Sequence, residues 1–253
     1  MRSFTNLVVN EWLKMFKKRS FFIPFAVIFG MIAMMFVIVK YFGSSDQPVS
    51  GLALATSVVS DNGMGRILLY LIIIATAGTV AKEHSLGTIK LLLIRSQSRS
   101  KILASKYVMV LLYTLLIYAF AIVVAIISGA LMFSLQDGTT SWGDLFQETL
   151  YRVIYSIIYV TITFMIGILT RSSGATIGVG MLMTMLESLI VLLLSKYQFT
   201  KYLIFANTNL SVYKDGHPPV AGMTMTFSLV VIAVYMILFL GASFVTFNKR
   251  DVA

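Results

Sequence analysis

Residues 107–133 read YVMVLLYTLLIYAFAIVVAIISGALMF, an apolar run without a single charged side chain. A helix needs about 20 apolar residues to cross the hydrocarbon core of a bilayer, whereas a barrel strand needs only about 9–11. The run is therefore expected to be a membrane-crossing helix over about 106–134, long enough to tilt or to end in a short exposed turn. Five further runs of this kind lie at about 20–42, 64–82, 150–170, 173–195 and 226–247. The expected fold class is all-α: a polytopic membrane protein with six transmembrane helices in a single transmembrane domain, 1–253.

The composition agrees with lipid as solvent. Hydrophobic residues make up 58% of the 253 and charged residues 12%, with mean hydropathy +0.89; soluble domains carry about 25% charged residues. With no cysteine, a disulfide framework, a thiolate metal site and a thiol nucleophile are all excluded. The net charge of +10 would suit nucleic acid only if it formed a basic face on a soluble module. Instead the basic residues flank the apolar runs, so no nucleic-acid partner is expected. The first run follows a polar, basic segment of nearly twenty residues and is too long for a signal-peptide core.

Six spans put both termini on one side, and the distribution of Lys and Arg selects it. Arg2, Lys14, Lys17, Lys18 and Arg19 precede the first span, and Lys82, Lys90, Arg95, Arg99, Lys101 and Lys106 fall between the second and third. Arg171 sits in the tight turn Arg171-Ser172-Ser173-Gly174, and Lys249 and Arg250 follow the sixth span. The opposite loops hold most of the acids. Both termini are expected in the cytoplasm and the protein in the plasma membrane.

Segment 3–18 has the pattern of an amphipathic helix, with Phe4, Leu7, Val8, Trp12, Met15 and Phe16 on one face. Such a helix lies in the membrane interface. Glu11 interrupts the apolar face: it either snorkels to water or pairs with a basic residue of the 82–106 segment.

That segment opens with Lys82-Glu83-His84, pivots at Gly87-Thr88, continues as the apolar stretch Ile89 to Ile94, and turns through Ser96-Gln97-Ser98 to Arg99 and Lys106. A Gly before a Thr suits a loop entering a new helix with a hydroxyl at its N-cap. The pattern resembles the hallmark of the type-two ABC export permeases: Glu, Gly-Thr, an apolar helix, a small polar turn, Arg, and Lys at the start of the third span. The interfacial helix, the six spans and the Phe247-Asn248-Lys249-Arg250-Asp251 tail extend the likeness over nearly the whole chain. Lys90 and Ile94-Arg95-Ser96-Gln97 depart from it, standing where the family often has an acidic residue and a Ser-Pro turn.

The resemblance implies a cytoplasmic coupling helix within 82–106, with Glu83, His84, Gly87, Thr88, Ile89, Leu92 and Arg99 meeting a motor. It implies two cytoplasmic ABC ATPase subunits, which carry ATP and Mg, and a second permease copy in a homodimer or heterodimer. No G-x-x-x-x-G-K-[ST] loop occurs, so the chain is not expected to bind a cofactor or to be an enzyme itself. The function implied is export of a peptide or other amphiphilic compound. The alternative is a non-transporting membrane sensor or immunity protein of the same topology.

Glu187, in the fifth span, is costly at membrane depth and faces protein or water. It can bind a cationic part of a substrate, relay protons or cap a helix–helix hydrogen bond. With no obvious partner in the sequence, the last is the first expectation. Gly174, Gly178 and Gly180 allow close helix approach, read first as packing within the subunit; the resemblance puts this span near the dimer interface and the pathway. Segment 196–225 is aromatic, with His217-Pro218-Pro219 preventing a continuous helix. It forms either an aromatic interface belt or, as the resemblance implies, short re-entrant helices that close the pathway externally. An intramembrane enzyme would need facing acids or histidines within the spans, and Glu187 alone does not supply them.

Overall fold

A computed structural model describes residues 4–43, 49–61, 63–85, 98–135, 140–214, 216 and 218–249, with the backbone alone for 80–85. Every regular element among them is helical. Helix α1 (Phe4–Phe16) leads through a tight turn at Arg19–Phe21 into α2 (Ile23–Phe42). Pro24 stands in the first turn of α2, where its missing N–H leaves no helical bond unmade. Helix α3 (Gly51–Val59) begins at Ser50, whose Oγ accepts from the Leu52 and Ala53 amides. Helices α4 (Gly65–Ser85) and α5 (Arg99–Met132) follow.

Helix α6 (Trp142–Thr170) starts at a capping box: Ser141 Oγ accepts from the Asp144 amide while the Asp144 carboxylate accepts from the Ser141 amide. Two residues separate it from α7 (Ser173–Leu194). Arg171 ends α6 in the left-handed region at φ 56°, and Ser172 caps α7 through the Ala175 amide. Three short turns come next, Gln198–Tyr202, α8 (Ile204–Asn207) and Leu210–Tyr213, before α9 (Met225–Lys249).

Among the described residues, five helical stretches are long and apolar enough to cross a membrane: Arg19–Phe42, Arg99–Met132, Trp142–Thr170, Ser173–Leu194 and Met225–Lys249. The expected span at 64–82 lies in α4, whose described apolar part is the shorter Gly65–Thr79. Helix α6 is the centre of the fold. Of its apolar stretch 67% is buried inside the protein, against 17% for α7 and 11% for α9. Helices α1, α2 and α3 pack on α5, while α4, α7 and α9 pack on α6. The first group encloses a core around Ile28, Ile32, Phe36, Val58 and Ile117, the second one around Ile73, Tyr159, Ile162 and Ile232.

Several expected boundaries move. The third helix begins at Arg99 and not at 106, because Arg99, Ser100, Lys101 and Lys106 continue the helix beyond its apolar part. Arg99 is thus the first residue of α5. The fourth helix begins at Trp142 and not at 150, the capping box setting its start. Helix α3 lies in what the sequence placed in a loop. The middle of the coupling segment, 86–97, lies outside the described residues, as does the end of the tail from Arg250.

Candidate functional site

Tyr155 and Tyr159 stand one turn apart on α6 and point the same way, toward Glu187 on α7. Their hydroxyls donate to Glu187 Oε2 at 2.6 and 2.7 Å. Thr208, just after α8, donates to Glu187 Oε1 and lies within reach of the Phe205 carbonyl as well. Glu187 is buried, with 8% of the residue exposed. A second layer continues from Asn207: its Nδ2 donates to the Lys201 and Leu203 carbonyls, and its Oδ1 accepts from Ser228 Oγ on α9. Ser228 in turn shares a hydrogen bond with Tyr213 at 2.6 Å. Glu187 therefore does cap helix–helix contacts, and it also ties the 196–225 region to α6 and α7.

A charged group lies beside this cluster. Arg152 on α6 reaches Asp61 at 3.2 Å and Glu148 at 3.1 Å, and Arg66 on α4 reaches Asp61 at 3.0 Å. The Arg152 guanidinium also lies over the Tyr155 ring at 5.5 Å. Asp61, Arg66, Tyr155 and Glu187 are among the polar residues that line a cavity of about 150 Å³. Val191, Phe205, Ala206 and Val212 contribute apolar lining.

A second polar centre lies at the other end of the bundle. Lys106, on α5, donates to Glu11 Oε2 at 2.7 Å, and Lys14 donates to Glu11 Oε1 at 2.6 Å. Burial pushes the Glu11 carboxyl up, but the charge and hydrogen bond of Lys106, and those of Lys14 after it, hold it below the usual value. Nearby, Arg99 donates to the Asn248 carbonyl at 3.3 Å, and Asn248 Nδ2 donates to Ser100 Oγ at 2.9 Å, joining the start of α5 to the end of α9. The Tyr118–Ser156 hydrogen bond marks the level of the Glu187 cluster on α5. From Lys106 to Tyr118 is twelve residues, about 18 Å along the helix.

Of the residues singled out in the sequence, Glu83 and His84 fall in the last turn of α4, and Gly87, Thr88, Ile89 and Leu92 lie outside the described residues. Glu11 and Arg99 stand at the Lys106 end, well away from Glu187. The glycines divide. A Cβ on Gly180 would lie 2.9 Å from Thr163 Oγ1 and 3.1 Å from Ile73 Cγ2, whereas Gly174 and Gly178 are exposed with nothing within 4 Å. The expectation that the Gly174-x-x-x-Gly178 pair packs within the subunit is corrected: α7 turns its next small residue, Gly180, inward instead. Among the described residues no three His, Asp or Glu side chains gather as a metal site.

Sequence reasoning missed Tyr155, Tyr159, Thr208, Asp61, Arg66 and Arg152 as members of one site. Two signals were present: the Tyr155–Tyr159 and Glu148–Arg152 spacings, both i,i+4, which place side chains on one helix face.

The profile of a family described as "Protein of unknown function (DUF2705)" matches residues 12–253. The chain belongs to the DUF2705 family. It is 36% identical over 216 residues to "Uncharacterized protein YhcI" of Bacillus subtilis (strain 168), covering 78% of this chain and 69% of that protein. It is 28% identical over 193 residues to "Uncharacterized membrane protein YdbK" of the same organism, covering 74% of this chain and 78% of the relative. The name of the second relative and the five long apolar helices agree on a multi-pass membrane protein. In this DUF2705 chain, then, one end of the bundle carries an ion-pair clamp. Toward the other lies a hydroxyl-lined carboxylate beside an amphipathic cavity.

Proposed function

We propose that the chain is the transmembrane permease subunit of an ATP-driven ABC exporter that moves a peptide or other amphiphilic compound out of the cell. In this reading α4 is the second of six spans, α1 lies in the membrane interface, and both termini face the cytoplasm. The region 196–225 is then the external re-entrant segment. Two cytoplasmic ABC ATPases supply hydrolysis, and a second permease copy completes the pathway. The exposed Gly174–Gly178 face of α7 suits a close approach by that copy.

The observation that carries the reading is the contact between Glu11 and Lys106. Lys106 is the last element of the Glu83, Gly87-Thr88, Arg99, Lys106 pattern, and the ion pair ties it to α1. A motor pushing on the segment between α4 and α5 thereby moves α1, α4 and α5 together.

The test is copurification of the tagged chain from its native membrane, followed by ATP-hydrolysis assay of the complex. A stable ABC ATPase partner is expected, with Glu83→Ala and Gly87→Val uncoupling hydrolysis from transport at unchanged expression. Wild-type export from both variants would sink the coupling role. A stable chain that carries no ATPase would favour the sensor or immunity protein of the same topology.

A further inference from the structure

The charges around the cavity are unequally matched. Asp61 is held by Arg66 and Arg152, and Glu148 by Arg152, so these four groups neutralise one another. Glu187 differs. All three of its partners are neutral hydroxyls, and among the described residues no Lys or Arg forms an ion pair with it. A carboxylate buried without a counter-ion is expensive, more so at membrane depth. It also has acceptor capacity left: an ionised carboxylate offers about four lone-pair positions, and the three hydroxyls fill three.

The space beside it is matched to a particular kind of molecule. The cavity of about 150 Å³ has the size known to admit one benzene-sized apolar body. Val191, Phe205, Ala206, Val212 and Pro219 supply apolar contact, while Glu187 and Ser188 face the same space. Binding sites of this type combine an apolar lining with a few polar groups that fix orientation.

We propose that this cavity is a binding site for an organic ammonium group carried on a small apolar body, with Glu187 as its counter-ion. The ammonium takes the remaining acceptor position on the Glu187 carboxylate, and the apolar body lies against Val191, Phe205 and Val212. Under the export reading the site admits the cationic end of an amphiphilic cargo. Only that assignment as cargo rests on the proposed function; the binding itself needs no ATPase.

The experiment is isothermal titration calorimetry on the full chain in nanodiscs, without any ATPase. Phenethylammonium is titrated against its neutral counterpart 2-phenylethanol. Saturable binding of one phenethylammonium per chain is expected, with the alcohol weaker by about tenfold or more, the loss of one charged hydrogen bond. Glu187→Gln keeps the volume and acceptors for the tyrosines, and should bring the amine down to the affinity of the alcohol. Val191→Trp fills the cavity with an indole while leaving the carboxylate's chemistry in place, and should abolish binding of both. Equal affinity for amine and alcohol, wild-type amine binding by either variant, or no saturable amine binding to the wild type would overturn the proposal. A chain that binds the amine yet copurifies with no ATPase would leave this site standing and remove the export reading.

Discussion

Glu11 and Lys106 are 95 positions apart in the sequence, yet their side chains meet at 2.7 Å with only 7% and 3% of them exposed. Two buried charges hold the amphipathic α1 against the base of α5, the longest helix. Removing one member of such a pair strands the other, which costs about 3–5 kcal/mol, whereas replacing both by apolar residues is often nearly neutral. Lys106→Met should therefore destabilise the protein toward the lower end of that range, because Lys14 still reaches Glu11. The double variant Glu11→Leu with Lys106→Met should recover most of the loss. Thermal unfolding in detergent, followed by circular dichroism, reads both, and losses that simply add in the double variant would contradict the pairing.

The same contact sets a pH response with a definite sign. The Glu11 carboxyl is held below its ordinary 4.5 despite its burial, by Lys106 first and then Lys14. A carboxylate whose folded value is depressed stabilises the fold fully above its unfolded value, and that contribution fades as pH falls through the folded value. Helix α1 should thus stay docked at neutral pH and loosen below about pH 4.5. Trp12, whose ring meets Phe21 edge-on at 6.0 Å, reports the change. In a Trp142→Phe background its fluorescence should shift on acidification, and in Glu11→Gln the acid step should disappear. An undiminished step in that variant would place the titrating group elsewhere.

Much of this architecture was legible because apolar length is a strong signal and charge at an apolar face is a conspicuous one. The long runs located α2, α5, α6, α7 and α9, and Glu11 and Glu187 drew notice as carboxylates where none is cheap. Hydropathy reports where a helix crosses lipid and not where it ends, so the polar start of α5 at Arg99 and the capped start of α6 at Ser141 went unread. Helix α3 was missed because its nine residues fall short of a span, although Ser50 carries the capping signal. The partners of Glu187 were hidden for another reason. Tyr155, Tyr159 and Thr208 are unremarkable singly, and only the packing of α6 against α7 and the return of the chain after α8 bring them to one carboxylate.

The three glycines of α7 should separate under substitution. A Cβ at Gly180 would enter contact distances of 2.9 and 3.1 Å with Thr163 and Ile73, so Gly180→Val forces α7 away from α6 and α4. The expected loss is about 1–3 kcal/mol, the usual cost of overpacking. A Cβ at Gly174 or Gly178 would meet nothing within 4 Å, and Gly174→Val and Gly178→Val should leave the melting temperature of the isolated subunit nearly unchanged. If a second copy docks on that face, these two variants should reduce cross-linked dimer in membranes while Gly180→Val lowers the melting temperature. Equal destabilisation by all three would mean that the exposed face of α7 is not free.

Helix α3 is held to the end of α5 by backbone contact, and this too can be tested. A Cβ on Gly51 would stand 2.9 Å from Gly129 Cα, and one on Gly129 would stand 2.9 Å from the Gly51 carbonyl oxygen. The Gly51 amide donates to the Ser134 carbonyl at 2.8 Å, so the crossing cannot widen without stretching that bond. Main-chain atoms cannot rotate aside as the end of a side chain can. Gly51→Ala and Gly129→Ala should each cost about 1–3 kcal/mol. One separation relieves both clashes, so the double variant should cost clearly less than the two added together. Thermal melts of the three variants, with hydrogen exchange at the α3 amides, decide it. Fully additive losses, or α3 amides exchanging as slowly as in the wild type, would show that the two glycines do not share one contact.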